Sequence, residues 1–105
     1  MWLDVIERYP EMRWWVAQNK TVPMSILELL STDPDVSVRE MVAAKRKLTR
    51  ELMERLVRDP EDSVRLRIAY NRSTPLDIVR GLLSDPVPFV VERVKSRLEW
   101  MGETV

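Results

Sequence analysis

A chain of 105 residues, 45% hydrophobic and 32% charged, has the length of one ordinary domain and the composition of a water-soluble fold. It has no cysteine and no histidine, which excludes disulfides, thiol catalysis and thiolate metal sites and removes the usual zinc ligands and general base. Its 17 basic and 17 acidic residues cancel, so it lacks the strong basic bias of a dedicated nucleic-acid binder.

The charge is uneven along the chain. Residues 1–38 carry three basic and six acidic residues, 39–80 carry eleven and seven, and 81–105 carry three and four. No run of about 18 apolar residues could span a membrane. The start, MWLDVIERYPEMR, is acidic early and predicts no signal peptide. The absence of cysteine fits a reducing, cytoplasmic setting.

Trp2, Val5, Ile6 and Tyr9 fall at i, i+3, i+4 and i+7, which predicts a short amphipathic helix over 2–9, closed by Pro10. The chain then repeats itself. Asp33, Asp59 and Asp85 stand 26 residues apart, each followed by proline, and a fixed period of this size marks a stacked repeat architecture. The same shift brings Met12, Val38 and Val64 into line, as it does Arg13, Arg39 and Arg65, then Val16, Val42 and Ile68, then Ala17, Ala43 and Ala69. The units are 10–32, 33–58 and 59–84, followed by a divergent helix over about 85–101 and a frayed tail from Gly102 to Val105.

Each unit is predicted to hold two helices. The first, at about 36–46, 62–71 and 88–98, follows an Asp–Pro pair read as N-cap and first helical residue. Its inward positions are Val38 and Val42, Val64 and Ile68, Val90 and Val94. The second starts after Val22–Pro23, Thr49 or Thr74–Pro75, with Asp77 completing a capping-box variant on Thr74. Its apolar stripe is Ile26, Leu27 and Leu30, then Leu52, Met53 and Leu56, then Ile78, Val79 and Leu82. Neither helix can bury its apolar face alone, so the fold expected is an all-α, right-handed α-solenoid of about three and a half stacked helical pairs with terminal caps.

The pattern DPD-x-x-VR-x-x-VA-x-N-x-x-TP, followed by an apolar helix ending at DP, resembles the leucine-rich repeat variant family, a HEAT-like α-solenoid. The likeness covers about 10–98 and is best in 59–84. It departs where Lys45 replaces the asparagine and Thr49–Arg50 replaces Thr–Pro, and in a period longer than is commoner in that family. The resemblance implies a binding scaffold and no particular chemistry. Some members hold an iron–sulfur segment through cysteines, which this chain lacks, so no cofactor is expected.

The repeated Arg13, Arg39 and Arg65 could grip phosphates or carboxylates, but arginines that recur with the fold are better read as pairing with aspartates such as Asp59 or Asp85. Lys45, Arg46 and Lys47, with Arg50 and Arg72, predict a basic patch at the turn between helices, which reads first as a solvated turn and otherwise as a contact for an acidic protein partner ahead of nucleic acid. Trp14 and Trp15 are adjacent on a helix and cannot both face the core. Packed under the cap against Trp2 and Tyr9 they are structural; exposed, they are interface anchors. The carboxylate pairs Asp33/Asp35 and Glu61/Asp62 sit at helix N-termini, where the dipole favours them. With no glycine-rich phosphate loop and no nucleophile motif, the chain reads as a non-catalytic protein-interaction scaffold, with nucleic-acid backbone binding as the alternative.

Overall fold

The computed structural model describes residues 2–103. Among them are eight α-helices and no strand: α1 Trp2–Arg8, α2 Arg13–Gln18, α3 Met24–Leu30, α4 Val36–Ala43, α5 Arg50–Leu56, α6 Asp62–Tyr70, α7 Leu76–Gly81 and α8 Pro88–Trp100. Most are only two turns long, a length at which an isolated helix is marginal in water, so tertiary packing must hold them. Helices α2, α4, α6 and α8 pack one against the next, while α3, α5 and α7 lie against them. The resulting body measures 47 × 23 × 19 Å, with a radius of gyration of 14.2 Å where a rounder domain of this length has about 13 Å. No described helix is long and apolar enough to cross a membrane.

The apolar positions read from the sequence are the core. All six inward valines and isoleucines of α4, α6 and α8 are buried, as are the nine stripe residues of the second helices and Ala17, Ala43 and Ala69. An alanine at each of those three places lets neighbouring helices approach closely; a larger side chain would force them apart. The core falls into two clusters that both pack against Val57.

The helix starts differ from expectation. The N-caps of α4, α6 and α8 are Asp35, Glu61 and Val87, and Asp33, Asp59 and Asp85 stand two residues earlier. Each of these aspartates turns one carboxylate oxygen onto the backbone N–H two residues ahead, at 2.9 Å in all three cases, which is an Asx turn. The other oxygen is thereby free to take the arginine of the preceding unit. Thr49 caps α5 as expected, accepting from the Leu52 N–H. Thr74 does not cap α7: its hydroxyl donates to the Ile68 carbonyl at 2.7 Å, and Pro75 is the N-cap.

Three boundaries also shift. Helix α4 stops at Ala43, not 46, with Ala44 as its C-cap, close to where α2 and α6 end before Asn19 and Asn71. Tyr9 is exposed, since α1 ends at Arg8 and the non-helical backbone at residue 9 (φ −131°, ψ 72°) takes the ring off the stripe. The tail expected from Gly102 to Val105 is ordered in its first part. Gly102 has φ 82°, its N–H reaches the Glu99 carbonyl, and the Glu103 N–H reaches Leu98, the paired bonds of a Schellman stop. Thr104 and Val105 lie outside the described residues.

Candidate binding cleft

Two cation ladders run through the molecule, and they have different fates. Arg39 lays its Nε and Nη2 on the two oxygens of Asp59, at 2.9 and 3.3 Å, and donates from Nη1 to the Asp33 carbonyl. Arg65 repeats this with Asp85, at 2.6 and 3.1 Å, and with the Asp59 carbonyl. Arg13 Nε lies 2.7 Å from Asp33 but its N–H is not aimed at the oxygen. This ladder ties successive units together and leaves its charge no capacity for a ligand. Burial raises the Asp85 pKa, but Arg65 and the Val87 N–H outweigh it and hold the carboxyl below its ordinary range.

The second ladder is Lys20, Arg46 and Arg72, again 26 residues apart. All three are exposed. No described carboxylate forms an ion pair with them or with Lys47. The turns that carry them are built by the residue just before: Asn19 accepts from the Thr21 N–H and hydroxyl, and Asn71 from the Ser73 N–H. Asn71 also donates from Nδ2 to the carbonyls of Ala43 and Lys45, at 2.8 and 2.7 Å. Lys45 does the equivalent one unit earlier, its Nζ donating to the Asn19 carbonyl at 2.7 Å. Half-burial there pushes the Lys45 pKa down.

Lys20, Lys45, Arg46 and Lys47 surround a cleft of about 850 Å³. Its apolar wall is Val22, Met24 and the buried Leu27, with Ala44 completing it, and no carboxylate lines it. A cleft of this size with an apolar surface and a few convergent charges suits a ligand that is apolar on one side and anionic on the other. Arg46 and Ala44 also line an adjoining cleft of about 230 Å³, where they meet Arg72, Arg67 and Tyr70.

The residues expected at the surface site therefore separate. Lys45, Arg46 and Lys47 share the larger cleft and Arg72 the smaller. Arg50 belongs to neither: it pairs with Glu54 at 2.8 Å and with Asp77, neutralised at the surface between α5 and α7. Those two carboxylates raise the Arg50 pKa, and Arg50 lowers that of Asp77. Trp14 and Trp15 are 41% and 48% exposed, and the Trp15 ring centroid lies 6.4 Å from that of Trp2 in the cap. Neither lines the basic clefts. Lys20 was not anticipated, although the 26-residue shift already places it beneath Arg46 and Arg72.

No group of three or more acidic side chains among the described residues is arranged to hold a metal ion. Comparison with models of protein families, with curated proteins and with solved structures finds no match to this chain.

Proposed function

We propose that this chain is a non-catalytic protein-recognition scaffold, an α-solenoid of the leucine-rich repeat variant or HEAT-like kind, which takes an acidic, partly apolar segment of a partner in the Lys20–Lys47 cleft. One observation carries the reading: four cations converge over an aliphatic wall with no carboxylate to satisfy them. The serial packing of α2, α4, α6 and α8, joined by arginines reaching an aspartate 20 residues ahead, supports the repeat architecture. A chain without cysteine fits the cytoplasm.

The test is fluorescence anisotropy with a labelled peptide of alternating glutamate and leucine, titrated with the protein at low and physiological salt. Binding should weaken as salt rises. Arg46→Glu/Lys47→Glu should weaken it by about tenfold or more, equivalent to about 1.4 kcal/mol, whereas Arg50→Glu, outside the cleft, should leave it unchanged. Equal behaviour of the two variants would sink the proposal. The unpaired ladder of Lys20, Arg46 and Arg72 also admits a nucleic-acid backbone, whose affinity falls steeply with salt. The aliphatic wall gives phosphates nothing to contact, and retardation of an oligonucleotide more tightly than the peptide would reverse the order.

A further inference from the structure

A second surface carries cations that the fold leaves without carboxylates. On α8, Phe89, Arg93, Arg97 and Trp100 fall at i, i+4, i+8 and i+11, one stripe of the helix. Arg93 lies over the Phe89 ring, 4.8 Å from its centroid. Arg97 lies between two rings, 5.0 Å from Trp100 and 5.9 Å from Tyr70 of α6. Trp100 is 77% exposed, and Phe89 and Tyr70 about half. Neither arginine pairs with a carboxylate among the described residues, and the Arg97 Nε is buried with no hydrogen-bond partner. Stacking on the Phe89 ring occupies one face of the exposed Arg93 guanidinium and leaves its N–H edge unclaimed by any described carboxylate, the arrangement that receives a carboxylate side-on.

Beside this stripe is a groove of about 410 Å³ between α6 and α8, with Leu66, Tyr70 and Phe89 as its apolar part and Arg67 and Arg93 at its margin. It is not separate from the turn. Arg67 and Tyr70 line both this groove and the 230 Å³ cleft, and Arg46 lines both that cleft and the 850 Å³ one. Along the whole path seven cations face a single carboxylate, Glu40, itself 4.0 Å from Arg67. Apolar surface and unpaired positive charge alternate along the path.

We infer that the turn cleft is one end of a longer docking groove, and that its occupant is an extended protein segment with carboxylates interspersed among apolar side chains. It runs from Lys20 and Lys47, past Arg46, to Tyr70, Phe89 and Arg93. This rests on the reading of the turn cleft given above and adds a second station to it. A single-stranded nucleic acid could stack bases on Phe89 or Trp100. Against it stand Glu40 in the groove wall, the aliphatic wall of the turn cleft and a net charge of zero.

The experiment compares two labelled peptides alternating Glu or Asp with Leu or Phe. One has about 8 residues and reaches at most about 28 Å. The other has about 16 residues and reaches at most about 56 Å, longer than the 47 Å molecule. The longer should bind at least about tenfold more tightly than the shorter. Arg93→Met, whose stem still covers Phe89, and Arg93→Glu should both remove most of that gain while leaving the short peptide unaffected. Lys47→Glu should weaken both. Circular dichroism confirms that each variant folds. If the short peptide binds through Lys47 but the longer gains nothing, or Arg93 substitutions leave the gain intact, the second station is overturned and the turn site stands. If neither peptide binds, both readings fall. Tighter binding of oligothymidylate, lost in Phe89→Ala, would replace the protein segment with a single strand.

Discussion

Replacing Arg65 by methionine tests the account of what joins the units. The arginine side chain is 9% exposed and its partner Asp85 2%. The change removes both bonds to Asp85 and the one to the Asp59 carbonyl. Asp85 is left as a buried charge holding only the Val87 N–H. Losing one member of a buried pair costs about 3–5 kcal/mol, a large share of the roughly 5–15 kcal/mol that stabilises a domain. With a urea slope of about 1–3 kcal/mol/M, the midpoint should fall by roughly 1–5 M.

The loss should be graded along the ladder. Side-chain exposure is 27% at Arg13, 12% at Arg39 and 9% at Arg65, so the same substitution should cost least at Arg13. It should also be recoverable. Adding Asp85→Asn to Arg65→Met removes the stranded charge while keeping an acceptor for Val87, and should restore a good part of the stability.

The pH dependence follows from Asp85. Its carboxyl titrates lower in the folded chain than in the unfolded one, where it titrates near about 3.9. Its contribution is therefore complete above that value and is lost as pH falls through the lower, folded one. Below pH of about 4 the difference between wild type and Arg65→Met should shrink. Urea titrations followed by circular dichroism at neutral and acid pH measure all of this. An Arg65→Met protein as stable as wild type at pH 7, or a gap that widens in acid, would refute the reasoning.

Asn71→Leu should cost roughly 2–4 kcal/mol, because it strips the donor from the buried Ala43 carbonyl and the part-buried Lys45 carbonyl, and the acceptor from Ser73; a thermal melt reads this. Thr49→Ala should cost about 1 kcal/mol by removing the α5 cap, while Ser73→Ala, which keeps the backbone bond to Asn71, should cost less. Lys45 titrates lower folded than unfolded through burial, so the folded chain gives up that proton first. Stability should rise with pH as the medium approaches the ordinary lysine range, and the rise attributable to this group should be missing in Lys45→Met when the two are compared by urea titration.

Core positions were legible in the sequence because period and burial are both local properties. A 26-residue shift aligns Val38 with Val64, helical spacing orients them, and both are buried. The Asp–Pro pairs misled because the same two residues satisfy two local motifs, an N-cap with proline at N1 and an Asx turn that precedes the helix. What separates them is the arginine 20 residues earlier in the chain, which claims the second carboxylate oxygen. Lys45 has a structural part that the sequence did not reveal: its ammonium reaches the Asn19 carbonyl much as Asn71 reaches that of Lys45, while the side chain also lines the larger cleft. The grooves were not legible, since each is walled by residues from different units or helices.

Periodicity alone therefore does not separate structural charge from functional charge in a chain of this kind. Arg13, Arg39 and Arg65 recur and are consumed by aspartates that recur with them. Lys20, Arg46 and Arg72 recur at the same interval with no matching acid, since Asn19, Lys45 and Asn71 beside them bind backbone carbonyls or turn N–H groups. The chain is neutral in total, but many of its carboxylates are placed at the starts of helices and between units, where they cap or cross-link. Cations without a carboxylate partner among the described residues gather instead at the turns of Lys20, Arg46 and Arg72 and at Arg93 and Arg97 of α8. The buried ladder is balanced in itself, one aspartate to each arginine, whereas the exposed one stays positive because no carboxylate lines its clefts.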